Sequence, residues 1–428
     1  MYRRDPNSHA AVAQLDGTPS RRYYAGRDLS RAVTIEDLRA MAHRRLPRFV
    51  LEYLEGGAEE EATLAREREA FGDWWFLPRQ LVDVSQRSLE GVVLGKTVPL
   101  PLAIAPSGLN GLFWHHADIA LAQAAARMGI PFTQSTMSTD PIEDVAKVPG
   151  LRHWWQLYVF GGDEVWQELL GRADAAGCEA LLVTTNAQIF GNREWSTRTQ
   201  ASRTRPTLST VMDAAWHARW MRSPLLRGGG LPTFHNIIDF VPKHQRGFFQ
   251  SAFWVRDQMP KSLSWRTVDR IRQRWRKPLL LKGILHPDDV RRSLDAGVDG
   301  IVLGTHGGRQ LDWTVSPLEV LPAAREIVQG RMALYLSGGV RRGTDLLKAW
   351  ALGADAVLAG RAVLYGLCAG GADGASRALQ ILQKEADEAM GLAGARSLQE
   401  LARVVVRIGT DADGCAQMGR SWRHRQRP

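Results

Sequence analysis

Eight short apolar runs recur along the chain, at residues 100–105, 131–134, 154–158, 181–185, 278–282, 300–303, 333–336 and 356–359. Their brevity and near-continuous hydrophobicity suit strands buried on both faces of a parallel sheet. Between them lie segments with apolar residues at helical spacing, such as 118–128 and 345–352. Strand, loop and helix repeated in this way predict an α/β protein, a parallel (β/α)₈ TIM barrel over residues 99–402. In such a barrel, functional side chains collect at the carboxyl ends of the strands.

Other stretches break the rhythm. Residues 1–30 mix Arg, Ser, Pro and Gly without periodicity and read as a flexible extension or as a segment that covers a neighbouring surface, and residues 403–428 read as a basic tail. Residues 31–98 read as a helical segment ahead of the barrel. Thr34 with Asp37 marks a capped helix start, and Pro47 opens a second helix that carries Tyr53 and stops at Gly56 and Gly57. After the fourth run, residues 203–263 form an insertion too long for an ordinary βα loop. There Trp216, Trp220, Phe234, Phe240, Phe248, Phe249, Phe253 and Trp254 interleave with Arg219, Arg222, Arg227, Lys243, Arg246, Arg256 and Lys261. Such a mixture suits a lipid headgroup layer, and equally an active-site lid or a contact between subunits.

The strand ends carry the candidate chemistry. Gly304-Thr305-His306-Gly307-Gly308-Arg309 leaves the sixth run, so a proton acceptor and a fixed cation, parted by two glycines, face one small anionic molecule. Lys282 closes the fifth run. Gly338 and Gly339 with Arg341 follow the seventh, and Gly360 with Arg361 follows the eighth; backbone N–H groups and cations at these two ends suit a phosphate.

In this order, the stretches closely resemble the FMN-dependent α-hydroxy acid dehydrogenase/oxidase family, from about Thr34 to about Leu401, and within it the membrane-associated mandelate and lactate dehydrogenases. The resemblance implies FMN as cofactor. Pro106, Ser107 and Gly108 would cover its ring, Ser135, Gln156 and Thr184 would hydrogen-bond it, and Lys282 would face its N1 side. Gly338, Gly339, Arg341, Gly360 and Arg361 would hold its phosphate. The implied reaction is oxidation of an (S)-2-hydroxy acid to the 2-oxo acid, with His306 as base. Arg309, Arg193 and Tyr53 would bind the carboxylate, and Tyr158 the hydroxyl.

The resemblance also implies a homotetramer. Similarity to mandelate dehydrogenases at residues 108–111 favours electron transfer to a quinone or another carrier over transfer to oxygen. Gly108 and Met137 suggest an enlarged pocket and favour an aryl acid such as mandelate over lactate.

Three departures from the family pattern stand out. Asn186 replaces the aspartate that pairs with the histidine, Ser337 replaces an aspartate at the ribityl chain, and Gly304-Thr305 replaces Ser-Asn. An Asn can orient an imidazole but cannot offset its charge. These changes keep open a catalytically impaired FMN-binding barrel with an electron-transfer or scaffold role; an oxygen-using oxidase is a further alternative.

Composition changes this picture little. Among 428 residues, 44% are hydrophobic and 23% charged, which is ordinary for a globular protein. The net charge of +10 suits an anionic substrate or an anionic membrane. No recognised nucleic-acid motif accompanies it, so nucleic acid is disfavoured as a partner. Cys178, Cys368 and Cys415 lie far apart and suggest neither a disulfide framework nor a metal site. The N-terminus lacks the apolar core of a signal peptide, and no run approaches the roughly 20 apolar residues that span a bilayer. The expected location is cytoplasmic, with peripheral contact at the inner membrane face.

Overall fold

The computed structural model describes residues 22–199, 207–410 and 416–418. Its centre is a closed barrel of eight parallel strands: β1 (Leu102–Ile104), β2 (Pro131–Ser135), β3 (Arg152–Leu157), β4 (Ala180–Thr184), β5 (Leu279–Ile284), β6 (Gly300–Leu303), β7 (Ala333–Ser337) and β8 (Ala356–Ala359). They pair in sequence order, and β8 closes on β1. All eight fall on the predicted apolar runs. Trp154 and Tyr335 stack at 6.1 Å inside the barrel, packed with Ala103, Leu182, Leu280 and Val302. The interior is therefore a filled core, and a ligand has room only at the strand ends. A register shift between Lys282 and Ile284 bends the end of β5 at Gly283, where φ is +105°.

Three helices precede the barrel: α1 (Ile35–Arg45), α2 (Arg48–Glu55) and α3 (Ala62–Glu69). The expected cap on α1 is present, since the Asp37 amide donates to Thr34 Oγ1 and the Thr34 amide donates to the Asp37 carboxylate. Gly56 ends α2 with φ of −64°, so the stop needs no left-handed residue. Asp312 fixes the start of α3 over the strand ends, accepting from the backbone amides of Glu60, Ala62 and Thr63 at 3.1, 3.2 and 2.8 Å. The Ala58 amide donates to the Gly308 carbonyl at 2.8 Å and ties the same segment to the His306 loop.

Two boundaries differ from expectation. Tyr24 packs against the core and its amide donates to Asp37 Oδ1 at 2.7 Å, so part of the presumed N-terminal extension is anchored. Val405–Thr410, expected to belong to the tail, is a strand paired antiparallel with Trp74–Phe76. Val404, Val405 and Val406 are buried there, and this apolar anchor outweighs the basic residues around it. Residues 1–21, 411–415 and 419–428, which include Cys415 and most of the basic tail, lie outside the described residues.

The insertion, whose residues 203–206 also lie outside the described residues, forms helices Leu208–Trp216, Ala218–Met221 and Phe248–Asp257. Most of its aromatic residues turn inward. Trp220, Phe234 and Phe248 are buried, and Phe234 stacks on Phe248 at 4.9 Å. Among the described residues, no helix is long and apolar enough to cross a membrane.

Candidate active site

A cavity of about 660 Å³ lies at the carboxyl ends of the strands, walled by residues of α2 and α3 on one side and of Phe248–Asp257 on the other. Every residue expected in the site lines it except Asn186. Among the described residues, its charged lining is Arg193, Arg256, Lys282, Arg309, Arg341 and Arg361, opposed by a single carboxylate, Glu67. A cleft so lined draws anions.

His306 stands in the left-handed region with φ of +63°, followed by Gly307 and Gly308, both at +69°. A histidine there is uncommon, and this turn folds the loop back over the strand ends. His306 Nε2 lies 3.1 Å from the Tyr158 hydroxyl. Burial, followed by Lys282, Arg193, Arg309 and Arg361, pushes His306 well below the ordinary histidine range. The imidazole is therefore neutral near pH 7. Burial also pushes the Tyr158 phenol up, so it keeps its proton beside Nε2.

The arginines are braced by main chain. Arg309 Nη1 donates to the carbonyls of Tyr53 (2.7 Å) and Gly56 (2.6 Å), its guanidinium lies over the Tyr53 ring, and Nη2 has no partner among the described residues. Arg193 donates from Nε to the Arg309 carbonyl and from Nη2 to Gln310 Oε1, both at 3.2 Å. The Tyr53 hydroxyl donates to the Gly108 carbonyl at 3.0 Å. Two cations and a phenol thus converge beside a neutral base.

Asn186 departs from its expected place. Its amide donates to the Gly304 carbonyl at 3.3 Å, while Asn186 Oδ1 and His306 Nδ1 both lack a partner among the described residues. Its backbone carbonyl accepts from Gln310 Nε2 at 2.7 Å, which fixes the residue behind the histidine loop. No Asn186–His306 hydrogen bond orients the imidazole here; the bond to Tyr158 does.

The rest of the cavity presents a polar row and an anion cradle. The Ser135 hydroxyl donates to Gln156 Oε1 at 2.7 Å, and the Gln156 amide donates to Thr184 Oγ1 at 2.9 Å, linking the ends of β2, β3 and β4. Pro106, Ser107 and Gly108 follow β1, and Ser107 Oγ is unpartnered. A Cβ on Gly108 would stand 2.8 Å from the Met137 Cβ, so these two residues jointly set the width of the cavity.

Burial pulls Lys282 down to about 8, against the opposing effect of Glu67. Gly338 and Gly339 have φ of +139° and +74°, and a Cβ on Gly339 would meet the Glu67 carbonyl at 2.0 Å. Only glycine lets that loop pass under α3. Arg341 Nε is buried without a partner. Arg361 is committed differently from expectation. Its guanidinium donates to the carbonyls of Leu54 (2.9 Å), Gly307 (3.0 Å) and Gly56 (3.0 Å), joining α2 to the histidine loop. Near Gly360, the donors left for an anion are the first amides of the helix Arg361–Leu392, which has no side-chain cap. The unpartnered donors, the glycine cradle and the polar row fit a flat heterocycle bearing a phosphate.

Residue patterns did not reveal Glu67, which is buried on α3 and accepts from the Thr305 hydroxyl. Burial pushes its carboxyl up, while Thr305, Arg361, Arg341 and Lys282 favour the charged form. Gln310, which braces Arg193 and Asn186, was also missed, whereas Phe249 and Phe253 of the insertion do line the cavity, as an active-site lid would. Neither charge pattern nor helical spacing distinguishes these positions from ordinary surface or core.

Comparison with known proteins agrees with this geometry. Residues 42–408 match the FMN-dependent dehydrogenase family. The chain is 39% identical to (S)-mandelate dehydrogenase of Pseudomonas putida over 372 residues, covering 86% of this chain and 92% of that protein. It is 37% identical to L-lactate dehydrogenase of Acinetobacter baumannii, covering 85% of this chain and 95% of the relative. The crystal structure of the monotopic membrane protein (S)-mandelate dehydrogenase superposes with a TM-score of 0.81 at 39% identity, covering 86% of this chain and 97% of that one.

Proposed function

The chain belongs to the FMN-dependent dehydrogenase family, and from that premise we propose that it oxidises an (S)-2-hydroxy acid with an aryl side chain, such as (S)-mandelate, to the 2-oxo acid. The observation that carries this reading is a neutral His306 held 3.1 Å from the Tyr158 hydroxyl, beside Arg193 and Arg309. A 2-hydroxy acid brings one carboxylate, one hydroxyl and one labile hydrogen, and the site offers a complement to each.

Arg309 Nη2 and the Arg193 guanidinium bind the substrate carboxylate, with Tyr53 alongside. The Tyr158 hydroxyl meets the substrate oxygen, and His306 Nε2 accepts the proton the substrate gives up. Phe249 and Phe253 of the lid, with Phe113, supply an apolar wall for an aryl group, and their presence supports mandelate over lactate. FMN, when bound, supplies the two-electron acceptor. Its ring would be held by Pro106, Ser107, Gly108, Ser135, Gln156, Thr184 and Lys282, and its phosphate by Gly338, Gly339, Arg341 and the amides after Gly360.

Electrons leave to a quinone or another carrier at the cytoplasmic face of the membrane. One face of Leu208–Trp216 supports this membrane reading: Leu208, Val211, Met212 and Trp216 recur at helical spacing and are 76, 49, 55 and 83% exposed. Exposed Leu311, Trp313 and Val315 near the cavity rim support a contact between subunits, as a homotetramer requires.

The test is anaerobic addition of (S)-mandelate, L-lactate and longer 2-hydroxy acids to the purified flavoprotein, following flavin absorbance at about 450 nm. (S)-Mandelate should bleach the flavin fastest, and His306→Ala should abolish bleaching while leaving the flavin bound. Bound flavin that no 2-hydroxy acid reduces would favour the impaired barrel, the reading for which the missing partner of His306 Nδ1 speaks.

A further inference from the structure

Glu67 has the surroundings of a ligand-binding group and no role in the reaction described above. It is the only acidic residue among the described residues that line the cavity, where six cations face it. Its side chain is buried, yet it forms no direct ion pair with any of them, although Arg361, Arg341 and Lys282 all act on it through space. Its Oε1 accepts from the Thr305 hydroxyl at the end of β6 and lies 2.6 Å from where a Cβ on Gly338 would stand. Among the described residues, no donor reaches Oε2.

A buried carboxylate is costly unless its oxygens are satisfied. One spaced away from every cation, with one oxygen free toward a cavity, is placed to receive hydroxyl donors from a ligand. Lys282 at the end of β5 stands on the ring side of the site, and Arg341 beyond β7 stands on the phosphate side. The hydroxyl-bearing chain that joins ring to phosphate has to cross between them, past Glu67.

We propose that Glu67 Oε2 is the acceptor for the ribityl hydroxyls of FMN, a cofactor contact supplied by α3 rather than by the barrel. The proposal rests on the FMN placement given above. Ser337, which lines the same cavity and stands where the family pattern has an aspartate, leaves that acceptor role open at the end of β7. In this chain the carboxylate has moved to the neighbouring helix, and Thr305 orients it.

The test is fluorescence titration of the flavin-free protein with FMN and with riboflavin, which carries the hydroxyl chain but no phosphate. Glu67→Gln should raise the dissociation constants of both ligands by roughly tenfold, the cost of exchanging a carboxyl acceptor for an amide. Adding Ser337→Asp to that variant should recover much of the loss. Glu67→Asp, which keeps the charge on a shorter arm, should fall between wild type and Glu67→Gln, and it serves if the glutamine variant does not fold. Unchanged constants for both ligands would overturn the proposal, as would a loss confined to FMN, which would move Glu67 to the phosphate. A wild-type protein with no FMN affinity would instead overturn the cofactor site itself.

Discussion

At the residue scale, the unusual feature is a base without a carboxylate behind it. Among the described residues His306 Nδ1 has no partner, and burial with four neighbouring cations holds the imidazole well below the ordinary value of 6.5. The folded site therefore resists protonation more than the unfolded chain does. His306 contributes stability that is whole above pH 6.5 and is lost as pH falls from there through its lowered value. The same sign governs catalysis, so the acid limb of kcat/KM against pH should lie below the usual histidine range. Asn186→Asp would place a negative charge behind the loop, and the limb should then move to higher pH; a pH profile of flavin reduction for both proteins checks this. An unmoved limb would mean that position 186 does not reach the imidazole.

These residues were legible in the sequence because each ends an apolar run, where a side chain has to face the open end of the barrel. The partners were not legible. The bond from Asn186 to the Gly304 carbonyl and the position of Glu67 depend on how loops and α3 fold over the strand ends, which no local pattern encodes.

At the scale of elements, the eight strands were legible because parallel strands buried on both faces leave an unambiguous hydrophobic mark. Val405–Thr410 was not, since a single edge strand beside basic residues looks like a tail until Trp74–Phe76 pairs with it. The insertion shows where composition misleads. Its aromatic and basic mixture left a headgroup contact, a lid and a subunit contact open for the whole stretch, and the structure divides it. Phe248–Asp257 turns Phe249, Phe253 and Arg256 into the cavity, while Leu208–Trp216 leaves an apolar stripe outside. Asp213 accepts from the Arg48 amide at 2.6 Å and docks that helix on α2, so the stripe is presented from a fixed base. Met212→Glu with Trp216→Glu should therefore abolish sedimentation with anionic vesicles while leaving flavin reduction in solution unchanged. Retained vesicle binding would send the membrane contact elsewhere on the surface.

At the scale of the whole molecule, the excess of cations at one end of the barrel makes the cofactor part of the fold's electrostatic balance. Among the described residues six cations converge on one cavity with a single carboxylate, and burial has already drawn Lys282 from 10.5 to about 8. Because its folded value is lowered, Lys282 in the flavin-free protein favours unfolding below pH 8, and this penalty fades as pH rises from about 8 to 10.5. Its size is on the order of 3 kcal/mol. An anionic ligand in the cavity offsets the penalty, and binding adds about 2.7 kcal/mol of stability at a hundredfold excess over Kd. Riboflavin lacks the phosphate that the glycine cradle and Arg341 would meet, so it should stabilise the protein much less than FMN at equal concentration. Thermal unfolding of the flavin-free protein with each ligand, repeated at pH 7 and pH 9.5, measures both effects. FMN should give the larger rise in Tm, and its advantage over the flavin-free protein should shrink at the higher pH, where Lys282 no longer needs the ligand's charge. Equal rises for the two ligands would mean that the cations serve the substrate end of the cavity alone.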